Sequence, residues 1–118
     1  MSIPEITIII SSYKREKQVI RILGNLIKYK PKNLKLEVLV CDSYSNYSLD
    51  DFLEQKFHNL SIKYLNIEKN VLAAKRNYGI SKSSYNKIIL LDDDCIPDEN
   101  FLEFYLNELQ SCGERTIL

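Results

Sequence analysis

Long apolar runs and a complete set of cysteine pairs are both missing from this sequence of 118 residues. The longest nearly pure apolar run, residues 6–10, is far shorter than the roughly 20 residues that a membrane-spanning helix needs. No basic leader precedes this run and no small-residue cleavage site follows it, which argues against a secretory signal. The three cysteines, Cys41, Cys95 and Cys112, cannot all pair and lack metal-ligand spacing. We therefore expect free thiols, a cytoplasmic location and no transmembrane segment.

Glycine and histidine are also scarce. The three glycines, at positions 24, 79 and 113, form neither GxGxxG nor GxxxxGK[ST], so the sequence contains no glycine-rich phosphate loop. A nucleotide phosphate would have to be held another way, most simply through a metal ion. The single histidine, His58, has no partner motif, and we expect it to be structural or to face solvent.

The overall composition, 45% hydrophobic and 27% charged, is that of an ordinary globular protein. Its length fits one domain over residues 1–118. The net charge of zero conceals two opposed blocks, because residues 1–91 carry 15 basic and 8 acidic side chains while residues 92–118 carry 1 and 8. The acidic block would repel a phosphate backbone, so we do not expect a nucleic-acid partner.

The apolar pattern alternates between strands and helices along the chain. It predicts strands at residues 5–10, 36–41, 61–67 and 87–91, and helices at 14–29, 71–82 and from 98 to about 110, with a short helix at 50–57. Asn70 is expected to cap the helix at 71–82, with Val71, Ala74 and Tyr78 on one face. Such alternation predicts an α/β fold, a three-layer α/β/α arrangement around a mostly parallel sheet.

Polar residues follow three of the predicted strands. They are Ser-Ser-Tyr at 11–13, Asp-Ser-Tyr at 42–44 and Asp-Asp-Asp at 92–94. Because ligands of such sheets bind outside the carboxyl ends of the strands, these residues are the candidates for a binding site.

Three consecutive aspartates repel one another unless a cation offsets their charge. Their oxygen atoms suit Mg²⁺ or Mn²⁺, which in turn bridge phosphate oxygens. If the strand geometry continues, Asp92 and Asp94 point to one side and Asp93 faces elsewhere. The alternative is an ordinary loop before the last helix, whose start is marked by Pro97 and Asp98.

Four segments, in this order, resemble those of family 2 glycosyltransferases. They are ITIIISSYKRE (6–16), LEVLVCDSYSN (36–46), NVLAAKRNYGI (70–80) and KIILLDDDCIPDENFLE (87–103). The resemblance implies the GT-A fold and an inverting enzyme that uses a nucleotide-diphospho-sugar. The last segment, an apolar strand followed by three aspartates, is the most specific of the four.

The resemblance implies a role for three residues on the nucleobase side. Ser11 and Tyr13 fall where the family places a polar stretch and an aromatic ring that stacks on the base. Asp42 falls where an aspartate hydrogen-bonds the base, usually uracil. From the residues alone, Tyr13 could instead cover the sheet edge, and Asp42 could be an Asx-turn residue. In the family the second strand often ends Asp-Asp-Gly, whereas here Cys41 and Ser43 flank the aspartate.

On the phosphate side, the resemblance places Asp92 and Asp94 in the family's DxD motif, which binds ribose and a divalent cation, Mn²⁺ or Mg²⁺. Asp94 is the favoured metal ligand, and Asp93 could take the ribose contact. Lys75 or Arg76 could face the diphosphate. Because they are adjacent on a helix, we expect only one of them to face the cleft.

The family's general base, a carboxylate that accepts the proton of the acceptor hydroxyl, is expected beyond Leu118. We accordingly read the chain as an apparently truncated, N-terminal nucleotide-binding half that lacks the acceptor-binding half and is inactive alone. The expected partners are a UDP-sugar donor and a saccharide or lipid-linked acceptor. Peripheral membrane association and self-association are compatible with this interpretation. The alternatives are a non-catalytic binding or interaction module and, with less support, a nucleotidyltransferase.

Overall fold

The computed structural model describes residues 3–43, 59–68, 70–110 and 116–117. Its elements in chain order are β1 (Glu5–Ser12), α1 (Glu16–Tyr29), β2 (Lys35–Asp42), β3 (Leu60–Asn66), α2 (Leu72–Lys82), β4 (Lys87–Asp92), α3 (Phe101–Gln110) and β5 (Thr116–Ile117). The short helix predicted at 50–57, and the predictions for His58 and Cys112, lie outside the described residues.

The strands form one parallel sheet in the order β3-β2-β1-β4-β5. β1 is central, and its last residues align Ser11 with Asp92 of β4 and Ser12 with Asp42 of β2. The four predicted strands and their parallel arrangement are confirmed. The pattern did not predict β5, which has two residues and pairs with β4.

Helices cover both faces of the sheet. On one face, alternate residues of β1, β2 and β4 pack against α1 and against Leu102 of α3. On the other face Ile9, Leu39, Cys41 and Ile88 form a smaller core against which Ile80 of α2 packs. The predicted three-layer α/β/α architecture is confirmed. Within the part of the chain that the structure describes, no helix has the length and apolar character needed to span a membrane.

The apolar residues that the pattern places on one face of α2 are not the residues of α2 that are buried. Its buried residues are Lys75 and Gly79, whereas Val71 and Tyr78 are 51% and 36% exposed. Gly79 lies so close to the sheet that a Cβ atom there would be 2.8 Å from Cγ2 of Ile9. Because position 79 has no side chain, α2 can approach the sheet closely on this face. A pattern of apolar residues does not reveal such a contact.

The predicted cap of α2 is wrong. Val71 occupies the N-cap position with extended backbone angles and no side-chain cap hydrogen bond. Asn70 instead accepts a hydrogen bond from Nζ of Lys75.

A buried carboxylate anchors the segment that follows α2. Glu37 of β2 is 3% exposed. It accepts hydrogen bonds from Oγ1 of Thr7 at 2.9 Å and from the backbone N–H and Oγ of Ser84 at 2.8 Å each. Oγ of Ser83 in turn donates to Oγ1 of Thr7 at 3.0 Å. Because these bonds join two strands to the C-terminal end of α2, they fix the helix on the sheet.

Candidate functional site

A cavity of about 250 Å³ lies at the carboxyl end of the central strand. The residues that line it come from the end of β1, the start of α2 and the turn after β4: Ser11, Ser12, Tyr13, Asn70, Leu72, Lys75 and Asp93. Parallel pairing explains why segments so distant in sequence meet here, because the carboxyl ends of β1, β2 and β4 lie at one edge of the sheet.

The wall formed by β1 contains the two residues predicted there for the nucleobase side. Tyr13 is 40% exposed, and its ring centroid lies 5.3 Å from Nζ of Lys14 and 5.4 Å from Nζ of Lys75. Oγ of Ser11 is buried and has no hydrogen-bond partner within the described structure. The wall therefore offers a partly exposed aromatic ring beside a hydroxyl group that can still donate or accept a hydrogen bond.

Lys75 is 3% exposed and is the only lysine among the buried residues that the structure describes. Its Nζ donates to the carbonyl oxygen of Ser12 at 2.8 Å and to Oδ1 of Asn70 at 2.5 Å. Desolvation lowers the pKa of Lys75, while the nearby charges of Asp42 and Asp93 act in the opposite direction. The side chain of Lys75 is thus subject to the charges of two carboxylates, one at the end of β2 and one in the turn after β4.

Asp42 is completely buried at the end of β2. It is paired with Ser12 in the parallel register, and its carbonyl oxygen accepts a hydrogen bond from the backbone N–H of Ile67 at 2.7 Å. Burial raises the pKa of Tyr64 to about 12, and the negative charge of Asp42 adds to that rise. Asp42 is not among the residues that line the cavity, but its charge acts on Lys75, which is.

The three consecutive aspartates separate into different environments. β4 ends at Asp92, and the backbone N–H of Cys95 donates to the carbonyl oxygen of Asp92 at 3.1 Å, which closes a turn. The alternation of a strand stops at this turn, so the condition under which Asp93 was expected to face elsewhere is not met. Asp93 lines the cavity with Tyr13, whereas Asp94 is exposed, with its Oδ1 3.6 Å from Sγ of Cys95.

Arg76 lies outside the cavity and forms an ion pair with Asp92. Its Nη2 is 2.9 Å from Oδ1 of Asp92, and the two side chains are 33% and 53% exposed. Of the adjacent basic residues, only Lys75 faces the cavity, as the helical spacing predicts. Both nevertheless contact the ends of strands, since Lys75 binds the end of β1 and Arg76 the end of β4.

The carboxylates suit a cation held jointly with a ligand rather than by protein alone. No group of three or more His, Cys, Asp or Glu side chains suited to a metal ion occurs among the described residues. Mg²⁺ in proteins is commonly bound by one or two carboxylates together with substrate phosphates and water. Asp92 and Asp94, both exposed on one turn, fit that smaller donor set.

Sequence reasoning missed two residues that line the cavity, Asn70 and Leu72. The order of strands and helices along the chain could have indicated both residues. The segment between β3 and α2 leaves a parallel strand at its carboxyl end, so it lies at the same edge of the sheet as Tyr13 and Asp93.

A three-layer parallel sheet with a polar cleft outside the carboxyl ends of its strands defines the class of α/β proteins that bind ligands at that edge. Within this class, the glycosyl transferase family 2 model matches residues 7–114, and the chain belongs to that family.

Curated relatives include two polysaccharide synthases of Pasteurella multocida. A chondroitin synthase is 31% identical over 107 residues, covering 88% of this chain and 11% of the relative. A hyaluronan synthase is 29% identical over 115 residues, covering 96% of this chain and 12% of the relative. Glycosyltransferase AglE of Haloferax volcanii is 28% identical over 115 residues, covering 95% of this chain and 38% of the relative. The chain thus spans between about a tenth and two-fifths of the length of these relatives.

Solved structures share the fold. TarS 1–349 of S. aureus superimposes with a TM-score of 0.71 at 22% identity, covering 90% of this chain and 32% of that structure. The same protein in complex with UDP-GlcNAc superimposes with a TM-score of 0.71, and the match covers 90% of this chain and 31% of that structure. The GT-A fold expected from the sequence is therefore confirmed.

Proposed function

We propose that this chain is the nucleotide-sugar-binding part of a glycosyltransferase that binds a UDP-sugar with a divalent cation and transfers the sugar, with inversion, to an acceptor hydroxyl. The observation that carries the proposal is the cavity at the end of β1, where Tyr13, Lys75 and Asp93 meet beside the buried Asp42. Membership of the family supports the reaction, and the UDP-GlcNAc complex of a protein with the same fold supports the class of donor.

The wall formed by β1 would bind the nucleoside. A partly exposed aromatic ring such as Tyr13 can stack on a base, and stacking of this kind contributes about 1–3 kcal/mol per base. Ser11 supplies an unused hydroxyl in the same wall, and Asp93 supplies a carboxylate that can accept a hydrogen bond from a ribose hydroxyl. Asp42, the last residue of β2, would accept a hydrogen bond from the base, as the family resemblance implies.

The turn after β4 would bind the diphosphate. Asp94 and Asp92 would hold Mn²⁺ or Mg²⁺ there. Such an ion, when bound, supplies Lewis-acid stabilisation of the charge that develops on the leaving diphosphate. Arg76 holds the carboxylate of Asp92 through its ion pair. Its guanidinium group also adds positive charge beside the expected position of the diphosphate.

The acceptor would be a saccharide or a lipid-linked saccharide. The named products of the two Pasteurella relatives support a role in polysaccharide biosynthesis. A cytoplasmic location would suit Cys41 and Cys95, which are free cysteines, because thiols stay reduced in that compartment.

Calorimetric titration with UDP, with and without Mn²⁺, tests this proposal. We expect binding that depends on Mn²⁺ in the unmodified chain, with loss of that dependence in Asp94→Ala. Asp42→Ala should weaken binding by about 10-fold to 150-fold with or without the ion, because one hydrogen bond to a charged group contributes roughly 1.5–3 kcal/mol.

Glu103→Gln is the matched control, since Glu103 is an exposed carboxylate on α3. It should bind UDP as the unmodified chain does. Equal, weak and Mn²⁺-independent binding in every variant would contradict the proposal and favour a non-catalytic module with the same fold.

A further inference from the structure

The position of Lys75 is unusual for a residue that would bind phosphate. Its side chain is 3% exposed, and two of the three N–H groups of its ammonium are engaged by the carbonyl oxygen of Ser12 and by Oδ1 of Asn70. A phosphate ligand needs donors that reach into the cleft. Most of the donor capacity of Lys75 is instead directed at the protein.

The same ammonium group lies beside the ring proposed to stack on the base. Nζ of Lys75 is 5.4 Å from the ring centroid of Tyr13, within the range of a cation–π interaction. Its hydrogen bond to Ser12 holds the peptide immediately before Tyr13. Lys75 therefore acts on Tyr13 in two ways, through the ring and through the backbone that leads to it.

We propose that Lys75 is a positioning residue for Tyr13: it fixes the aromatic ring for stacking on the nucleobase and does not contact the diphosphate. The proposal rests on the proposed function and deepens it, because it divides the two adjacent basic residues between two tasks. Lys75 serves the nucleoside side through Tyr13, and Arg76 serves the diphosphate side through Asp92.

The charges around Lys75 are consistent with this role. The charges of Asp42 and Asp93 favour the protonated form of Lys75 and so oppose the effect of desolvation, which lowers its pKa. The cation–π interaction with Tyr13 requires that protonated form.

Uridine and UDP distinguish the two roles, since uridine carries the base and ribose without phosphate. Dissociation constants for both are measured by NMR titration on the unmodified chain, Lys75→Met, Tyr13→Leu and the double variant. Lys75→Met should weaken the binding of uridine and the binding of UDP by the same factor, about threefold to tenfold. In the Tyr13→Leu background, Lys75→Met should cause little additional loss, because the ring it positions is gone.

The structure offers a matched control on the same helix. Nζ of Lys82 lies 5.5 Å from the ring centroid of Tyr78, and both residues are exposed and outside the cavity. Lys82→Met removes a comparable cation–π pair and should leave both dissociation constants unchanged. If Lys75→Met does not fold, as judged by its NMR spectrum, Lys75→Arg replaces it and should again change uridine and UDP binding by equal factors.

Two results would overturn the role of Lys75 while leaving the proposed function intact. They are a loss confined to UDP, which would make Lys75 a diphosphate ligand, and fully additive losses in the double variant. Failure of the unmodified chain to bind either compound would contradict the proposed function, and the role of Lys75 with it.

Discussion

Burial raises the pKa of the Cys41 thiol well above its ordinary value. The thiol is fully buried in the smaller core, and desolvation raises its pKa from 9.0 to about 12, against the opposing effect of the Lys75 charge. Sγ of Cys41 also lies 3.1 Å from where a Cβ atom of Gly79 would be. The residue thus packs as a small apolar side chain between β2 and α2, as a neutral thiol does.

This raised pKa predicts a loss of stability at alkaline pH. A group whose pKa is higher in the folded chain contributes its full stability below the unfolded value, near 9.0, and loses it as the pH rises toward about 12. At about pH 10.5 the loss should be roughly 2 kcal/mol. Urea unfolding at about pH 7 and about pH 10.5 should therefore show a smaller pH-dependent loss in Cys41→Ala than in the unmodified chain.

Cys95→Ala is the control, because Cys95 is exposed. It should retain most of the alkaline loss of the unmodified chain. A pH dependence that is identical in Cys41→Ala and the unmodified chain would contradict the account of a buried neutral thiol.

The positions of single residues were predictable from the sequence where a strand fixes the backbone. Ser11, Tyr13 and Asp42 follow apolar strands directly, and the structure places them around one edge of the sheet. The orientation of Asp93 was not predictable in this way. It depends on the turn that the backbone N–H of Cys95 closes on Asp92, and turn geometry leaves no periodic pattern.

Among the elements, the strands were predicted better than α2. β1, β2 and β4 are buried on both faces, so each appears as a continuous apolar run with bounds that are clear to within two residues. The buried residues of α2 are a glycine and a lysine, and neither contributes to the apolar stripe by which a packed helix face is recognised in a sequence. The apolar pattern therefore predicted the helix but not which of its residues are buried.

Alanine substitutions at two helical glycines should change the stability of the chain in opposite directions. A Cβ at Gly79 would lie 2.8 Å from Cγ2 of Ile9, so Gly79→Ala should destabilise the chain by about 1–3 kcal/mol, because it forces α2 away from β1. Gly24 in α1 has no atom within 4 Å of the equivalent position. Gly24→Ala should therefore stabilise the chain by roughly 0.5–1 kcal/mol through the higher helix propensity of alanine.

Urea unfolding of both variants at neutral pH measures these changes. Gly24→Ala serves as the control for the general effect of alanine in a helix. Stabilisation of similar size in both variants would show that α2 is not packed closely on the sheet.

At the scale of the whole molecule, the two opposed charge blocks meet at the candidate site. Arg76 from the basic block pairs with Asp92 from the acidic one, and the charges of Lys75 and Asp93 interact across the cavity. The sheet order brings this about, because β1 is paired with β2 on one side and with β4 on the other. Strand and helix alternation was sufficient to predict this meeting of distant segments, whereas the short edge strand β5 carries too few residues to form a pattern.

The central claim is that the turn after β4 binds a divalent cation together with a nucleotide diphosphate. Paramagnetic broadening by Mn²⁺, recorded by NMR with and without UDP, tests it most directly. We expect Mn²⁺ to broaden the amide signals of Asp92, Asp93 and Asp94 strongly only when UDP is present, since the described residues include no group of three or more side chains suited to a metal ion. Broadening centred elsewhere on the chain, or equal at this turn with and without UDP, would contradict the claim.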